Sequence, residues 1–329
     1  MRILIIILPI FILINECNAQ KSPKINMTNI DYQHNAPPSL ESRLIQTAMG
    51  LFGMKKKTEK KMITNNFAKA PAKLPRSLLR NFNIQEVTQN NRKVWTISPE
   101  EGKSDVVILY LHGGAYMGNI LKQHWDLIEQ LINKTNATIV IPDYPLAPDE
   151  ACKETYGFIL DLYTRLMNDY PIKRIIFMGD SAGGGLALGF VQKLRNENIK
   201  QPDEVILFSP WLDLTMSNPY LQILDKGDKL LSIEGLKSAG QKYAGNLNLK
   251  DYRVSPIYGD LTGMCRISIF TGTKDILNAD AQKCKQLMKD QQISFNYFEY
   301  PNMFHDWVII TSLKESCDVI KKVVKLVND

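Results

Sequence analysis

The segment Arg174-Ile-Ile-Phe-Met178 runs directly into Gly179-Asp-Ser-Ala-Gly-Gly184, and helix-forming residues follow. The apolar, β-branched part is typical of a buried strand, and the glycines around Ser181 form a Gly-x-Ser-x-Gly pentapeptide at the turn. Such a sharp strand-to-helix turn projects the serine hydroxyl from the carboxyl end of a parallel sheet, at a helix N-terminus that favours negative charge. Ser181 is therefore a candidate acyl-transfer nucleophile. By themselves these residues also suit packing or phosphate binding.

Similar apolar runs recur along the chain and alternate with segments of helical spacing. This alternation predicts an α/β fold with a mostly parallel, doubly wound sheet. The predicted parallel strands cover residues 106–111, 138–141, 174–178, 204–208, 267–270 and 295–300, and the predicted helices cover residues 122–132, 156–167, 182–194, 279–289 and 313–327. Residues 82–88 and 93–97 flank Asn90-Asn91, which predicts a hairpin at the antiparallel edge of the sheet.

Two segments do not fit this alternation. Residues 39–62 carry Leu40, Leu44, Ala48, Leu51 and Met54 at helical spacing, an amphipathic stripe that needs a partner. A long insertion, from about residue 213 to residue 260, separates two predicted strands. Together the segments predict a small helical cap over the carboxyl edge of the sheet, where such folds bind ligands. The alternative is an ordinary packed helix and a long surface loop.

The chain begins with a short basic start, a dozen apolar residues and the small residue Ala19. This pattern predicts a secretory signal peptide over residues 1–19, with an uncleaved anchor as the alternative. The predicted organisation is this leader, an N-terminal cap segment over residues 20–80, and an α/β domain over residues 81–329 that contains the cap insertion. We therefore expect a secreted or periplasmic protein.

The remaining composition excludes several function classes. The net charge of +6 is mild, and the basic run at residues 55–61 has no interleaved aromatic residues. This argues for a solvated helix face rather than a nucleic-acid patch, with at most weak contact to a membrane surface. The four cysteines outside the leader show no metal-ligand spacing and cannot be paired from sequence. We expect no metal, no cofactor and no nucleic acid, and the oligomeric state stays open.

An activated serine needs a base, and the chain has only four histidines. His34 lies in the polar, irregular stretch ahead of the first predicted helix, His124 lies within a predicted helix, and His112 precedes two glycines. His305 follows the last predicted strand, so it lies at the same edge of the sheet as Ser181. We therefore predict that His305 is the general base.

The acid that orients the base should lie between the serine and the histidine in the chain. Asp275 comes directly after the predicted strand at residues 267–270 and is the preferred candidate. Asp280, on the following helix, and Asp213, after Pro210-Trp-Leu, are competitors. Asp306 is a weaker choice, since adjacent side chains in a loop usually diverge.

The strand at residues 106–111 leads into His112-Gly-Gly-Ala-Tyr116. Glycines at this place let backbone N–H groups point at a substrate oxygen, and the N–H of Ala182, just after the serine, completes an oxyanion hole. A plain glycine-rich turn is the alternative.

Five motifs now follow one another from the first buried strand to the C-terminus. They are His112-Gly-Gly-Ala115, Asp143-Tyr-Pro-Leu-Ala-Pro-Asp149, Gly179-Asp-Ser-Ala-Gly-Gly184, Ser209-Pro-Trp-Leu-Asp213 and Phe304-His-Asp-Trp307. In this order they closely resemble the hormone-sensitive-lipase-like branch of the α/β-hydrolases, which includes many microbial carboxylesterases.

The resemblance implies a catalytic triad of Ser181, Asp275 and His305 and a helical cap. It also implies oxyanion donors at Gly113, Gly114, Ala115 and Ala182. Two departures matter: Ala115 replaces the family's third glycine and puts a methyl group at the hole, and Ile276 replaces the proline after the acid. The predicted activity is hydrolysis of short- to medium-chain carboxylic esters. An amidase or lactonase with the same triad, and a non-catalytic ligand-binding homologue, are the alternatives.

Overall fold

The computed structural model describes residues 29–100, 104–169 and 173–329, and the predicted signal peptide lies outside these ranges. A single nine-stranded sheet organises the described chain, in the order β1-β9-β8-β7-β6-β4-β5-β3-β2. Neighbouring strands are parallel from β1 to β5 in this order, whereas β3 and β2 are antiparallel. The predicted mostly parallel α/β fold is confirmed. The strands are β1 (Ile30–Gln33), β2 (Phe82–Gln89), β3 (Arg92–Pro99), β4 (Val106–Leu111), β5 (Thr138–Pro142), β6 (Arg174–Asp180), β7 (Glu204–Phe208), β8 (Arg266–Gly272) and β9 (Phe295–Tyr300).

Helices cover both faces of the sheet and its carboxyl edge. They are α1 (Leu40–Leu51), α2 (Met54–Thr64), α3 (Arg76–Asn81), α4 (Lys122–Thr135), α5 (Cys152–Asp169), α6 (Ser181–Asn196), α7 (Leu221–Gly227), α8 (Ile233–Ala244), α9 (Asn278–Asp290) and α10 (Lys314–Asn328). None of the described helices is long and apolar enough to cross a membrane.

Two apolar cores lie on opposite faces of the sheet. Val107 and Leu109 of β4 pack with side chains of α5, α6 and α9 on one face, and Ile108 and Tyr110 pack with side chains of α4 and α10 on the other. Because alternate residues of a strand point to opposite faces, a strand that is covered on both sides must be apolar throughout. This explains the unbroken apolar run of β4.

One edge of the sheet matches the sequence-based prediction, and the other edge has a strand that the sequence did not predict. The predicted hairpin is present as β2 and β3, and its two-residue turn Asn90-Asn91 has φ of 48° and 61°, as asparagine tolerates in hairpin turns. At the opposite edge, β1 pairs in parallel with β9 and has no counterpart in the sequence-based prediction. It is short and carries polar residues, so no hydrophobic pattern marks it.

The two segments outside the strand-helix alternation meet over the sheet edge. The predicted helix over residues 39–62 is two helices, because Gly53 between α1 and α2 adopts a left-handed φ of 58°. The helix α2 packs against α8 of the insertion, where the side chain of Met62 reaches Gly235 and the Lys242 ammonium donates to the carbonyl oxygens of Met62 and Ile63. The insertion therefore folds into helices rather than a long loop.

Candidate active site

Ser181 lies at the junction of β6 and α6, in the strained conformation that a nucleophile elbow requires. Its φ of 49° is left-handed, which costs an ordinary residue free energy and points its side chain away from the helix. The turn closes only because its glycines lack side chains. A Cβ on Gly183 would lie 2.0 Å from the carbonyl oxygen of Leu111, and one on Gly179 would lie 2.6 Å from that of Gly183.

His305 lies in the loop after β9, within reach of Ser181. Its Nε2 is 2.9 Å from Ser181 Oγ, and its Nδ1 is 2.9 Å from Oδ2 of Asp275, which follows β8. All three side chains are buried in the sheet edge, with Asp275 fully shielded from solvent. The structure thus brings together the three residues that the sequence singled out, from the ends of three different strands.

The competing residues have other partners. Asp280 accepts a hydrogen bond from the amide of Asn218 at 2.8 Å, and burial raises its pKa to about 6. Asp213 accepts from the hydroxyl of Tyr258 at 2.9 Å. His34 stacks on the ring of Tyr300 at a centroid distance of 4.8 Å.

Asp275 is held by the insertion, through a residue that sequence reasoning missed. Asp228, just after α7, accepts the backbone N–H of Ile276 on its Oδ2 at 2.9 Å. A proline at position 276 has no N–H to donate, so the departure from the family pattern supplies this contact. Burial and the nearby charge of Asp275 raise the pKa of Asp228. No local pattern marks Asp228, because its partner lies 48 residues away.

The loop after β4 turns back over the elbow with three residues of positive φ, namely Gly114, Ala115 and Tyr116. The N–H groups of Gly114, Ala115 and Ala182 have no hydrogen-bond acceptor among the described residues. They are thus available to a developing oxyanion. The N–H of Gly113 differs from the expectation, because it donates to Asp180 Oδ2 at 2.9 Å and is not free for the substrate.

Asp180 emerges as the buried group that anchors this loop. It accepts hydrogen bonds from the Tyr110 hydroxyl at 2.6 Å and from Gly113, and its Oδ2 lies 3.2 Å from Nε2 of His124. The backbone N–H of Leu121 donates to His124 Nδ1, which leaves the imidazole proton on the nitrogen that faces Asp180. Burial would raise the pKa of Asp180, but these donors outweigh it and lower the pKa.

A second carboxylate touches His305. Asp306 has a left-handed φ of 53°, which turns its Oδ2 to 3.0 Å from the same Nε2 that faces Ser181. The expectation that adjacent side chains diverge is therefore wrong here. Burial alone would lower the pKa of His305, but the charges of Asp275 and Asp306 raise it well above its usual value. Burial in turn raises the pKa of Asp306 to about 6.

A cavity of about 310 Å³ opens at the Ser181 hydroxyl and is walled by apolar side chains from the sheet edge and the helices above it. Ser181, His305 and Ala115 line its floor, and α1 and α2 supply part of its wall. The apolar lining includes Met49, Met54, Met62, Phe67, Leu121, Leu230, Leu231, Leu236, Phe304, Ile309 and Ile310. Among the described ranges, no group of three or more histidine, cysteine or acidic side chains is placed to hold a metal ion.

Comparisons with known proteins agree with this architecture. Residues 108–309 match a family model described as the alpha/beta hydrolase fold. An esterase of Acinetobacter venetianus is 32% identical over 203 residues, covering 61% of this chain and 67% of the relative. An acetyl-hydrolase of Streptomyces hygroscopicus is 28% identical over 201 residues, covering 61% of this chain and 67% of the relative. A solved esterase structure from the bacterial hormone-sensitive lipase family superposes with a TM-score of 0.76 at 21% identity. The superposition covers 89% of this chain and 98% of that one, and it shows that the two proteins share a fold.

Proposed function

The chain belongs to the α/β-hydrolase family and is a carboxylic ester hydrolase, and from that premise we propose that it is a serine carboxylesterase acting through an acyl-enzyme on Ser181. The observation that carries the proposal is the pair of 2.9 Å distances from the two ring nitrogens of His305, one to Ser181 Oγ and one to Asp275 Oδ2. A serine hydroxyl is a weak nucleophile until a base takes its proton, and this arrangement supplies the base and the group that orients it.

In the first step, neutral His305 accepts the Ser181 proton on Nε2 while Oγ attacks the ester carbonyl carbon. Asp275 accepts the Nδ1–H, which keeps the lone pair on Nε2 and stabilises the imidazolium that forms. Asp228 fixes the backbone beside Asp275 through Ile276. Asp228 is therefore a positioning residue in this scheme.

The negative charge of the tetrahedral intermediate develops on the former carbonyl oxygen. The N–H groups of Gly114, Ala115 and Ala182 are the proposed donors, and one such donor typically contributes about a hundredfold to a thousandfold in rate. Asp180 holds the loop by accepting from Gly113, so the donors are set before the substrate binds. Preorganised donors need no rearrangement when the charge appears.

The intermediate then collapses. His305 gives its proton to the departing alkoxide oxygen, the carbon–oxygen bond breaks, and the alcohol leaves the acyl group on Ser181. Water enters, His305 takes its proton, and hydroxide attacks the acyl carbon. The second collapse releases the carboxylic acid and returns the proton to Ser181.

The substrates we propose are neutral esters with short to medium acyl chains. The cavity volume of about 310 Å³ is at the small end of the usual range for ligand pockets, and its apolar wall disfavours charged groups beside the serine. The acetyl-hydrolase relative points in the same direction. Initial rates on p-nitrophenyl esters from acetyl to palmitoyl test this, and rates that rise steadily to palmitoyl would contradict it.

We also propose that residues 1–19 are a cleaved signal peptide and that the mature protein begins at Gln20 outside the cytoplasm. The apolar stretch of about a dozen residues is shorter than the roughly 20 that a membrane span needs. N-terminal sequencing of protein recovered from outside the cytoplasm checks this. A retained Met1 would contradict it.

The acyl-enzyme itself can be tested directly. Ser181→Ala should lower kcat for p-nitrophenyl acetate by about 10⁴-fold or more, because the members of a triad act as a unit. Rapid quenching of the native enzyme should trap one acetyl group on the peptide that contains Ser181. Ser217→Ala is the matched control, since Ser217 is exposed and outside the cavity. A Ser181→Ala enzyme with native turnover would overturn the mechanism.

A further inference from the structure

Helix α1 is apolar on two opposite sides, which an ordinary surface helix is not. Its inner side carries Ile45, which packs against the apolar core, and Met49, which lines the cavity. Its outer side carries Leu40, Leu44 and Leu51, which fall within about 40° of one another on the helical wheel. These leucines are 60%, 59% and 81% exposed, and Phe52 at the helix end is 67% exposed. Such an apolar stripe is expected to be buried against a partner, and no described residue covers it.

Helix α2 places a row of positive charge beside the stripe. Lys56, Lys57, Lys60 and Lys61 are all exposed. On the helical wheel Lys56 and Lys60 lie opposite the cavity-lining Met54 and Met62, and Lys57 and Lys61 lie on the adjoining flank. None of the four lysines forms an ion pair with a described residue. Lys55 is not part of the row, because it pairs with Asp225.

An exposed apolar stripe next to unpaired lysines has the chemistry of a surface that binds an anionic bilayer. The apolar side chains enter the boundary between headgroups and acyl chains, and the lysines meet the lipid phosphates. From this juxtaposition we propose that the outer face of α1 and α2, formed by Leu40, Leu44, Leu51, Phe52 and the four lysines, docks the enzyme on an anionic lipid membrane.

Two other occupants fit the face less well. A second copy of the chain in a two-fold dimer would bring like surfaces together and set lysine rows against each other, which is repulsive. The segment from Gln20 to Thr28 carries Lys21 and Lys24 and no acidic residue, so it does not neutralise the row either. Charge complementarity therefore favours the anionic lipid surface.

Docking in this orientation has a consequence for substrate access. The same two helices present Met49, Met54, Thr58 and Met62 to the cavity on their inner side. The face that would bind the membrane is thus the outer side of the cavity wall. A lipophilic ester dissolved in the bilayer would be held next to the cavity that contains Ser181.

The test is co-sedimentation of the chain beginning at Gln20 with lipid vesicles. This chain keeps every described contact and lacks the apolar leader, which would bind lipid by itself. We expect binding to vesicles of phosphatidylcholine mixed with phosphatidylglycerol, weakened by added salt, and much weaker binding to phosphatidylcholine alone. Replacing all four lysines by glutamine should weaken binding by roughly 600-fold, since each lysine near an anionic surface contributes about a fivefold factor.

The apolar half of the proposal has its own variant. Leu40, Leu44 and Leu51 changed together to serine should also lose binding, whereas Leu79→Ser should not, because Leu79 is similarly exposed at 57% but lies on α3. All variants should hydrolyse soluble p-nitrophenyl acetate at the native rate, which shows that they are folded. The proposal is overturned if the native chain ignores anionic vesicles or if the lysine and leucine variants bind as tightly as the native chain. It is also overturned if the leucine variant only converts a dimer to a monomer in sedimentation without loss of lipid binding.

Discussion

The elbow at the end of β6 and the pair of helices α1 and α2 are built in opposite ways. At the elbow, backbone approaches backbone, glycines have no room for a methyl group, and Ser181 and His305 are buried. In α1 and α2, side chains make the contacts with the rest of the protein, and three leucines and four lysines are exposed to solvent. The reacting groups are thus held by close backbone packing, whereas the two helices of the cavity wall are held by side-chain contacts on their inner side only.

The largest effect should come from a substitution that disturbs the close backbone packing around the elbow without replacing a reacting group. A Cβ on Gly113 would lie 2.1 Å from Asp180 Oδ2, so Gly113→Ala must shift either the loop that carries the proposed oxyanion donors or the Asp180 carboxylate that anchors it. We expect kcat/KM for p-nitrophenyl acetate to fall by about a hundredfold or more.

Gly157→Ala is the matched control, because nothing lies within 4 Å of its added methyl group. Gly157 is within α5, so the alanine should stabilise the protein by about 0.5–1 kcal/mol and leave the rate unchanged. Native kcat/KM in Gly113→Ala would show that the close packing of the loop does not position the donors.

The next effect concerns the pH dependence. His305 must be neutral to act as a base, and its pKa is raised by Asp275 and Asp306, so activity should grow as pH rises through that pKa. Asp306→Asn removes one of the two negative charges, so the pKa of His305 should fall by about one unit or more. The acidic limb of kcat/KM against pH then moves to lower pH, with roughly tenfold higher relative activity there.

The other charged groups around His305, namely Asp275, Asp180, Asp228 and His124, are unchanged in this variant. Asp290→Asn, at the exposed end of α9, removes a charge far from the site and should leave the profile in place. An Asp306→Asn profile that coincides with the native one would show that the contact at 3.0 Å does not influence the base.

The packing of α1 and α2 over the cavity is tested by Met62→Ala. Met62 is 2% exposed, lines the cavity and packs against Gly235 of α8. Its truncation should lower the free energy of unfolding by about 2 kcal/mol or more. The enlarged cavity should also raise the rate on longer acyl chains, relative to acetate, by a few-fold. Urea unfolding and the acyl-chain profile measure the two effects. Ile63→Ala, on the neighbouring exposed position, should change neither.

The smallest effect should come from Ala115→Gly. Ala115 has a left-handed φ of 55° and lines the cavity floor. Glycine relieves about 1 kcal/mol of backbone strain and removes the methyl group, so esters with branched acyl groups should gain a few-fold in rate relative to acetate. Thermal unfolding and a branched-to-linear rate ratio measure this. An unchanged ratio would mean that the methyl group does not shape selectivity.

The sequence predicted the sheet and the residues at the strand ends for a physical reason. Buried parallel strands are apolar throughout, and the ends of such strands meet at one edge, so Ser181, Asp275 and His305 were candidates before any contact was known. It did not predict β1, the break between α1 and α2, or the role of Asp228. These depend on short polar segments, on one glycine's φ and on contacts between residues far apart in the chain.

The sequence by itself determined the fold class, the strained turn at Ser181 and the order of nucleophile, acid and base along the chain, because hydrophobic periodicity and glycine placement are local properties. Only the tertiary structure decided that Gly113 donates to Asp180 rather than facing substrate, that Asp306 turns back onto His305, and that the leucines of α1 face outward. Each of these outcomes is set by which surfaces meet when distant segments pack, and a side chain's direction relative to those surfaces is not encoded in its spacing along the chain.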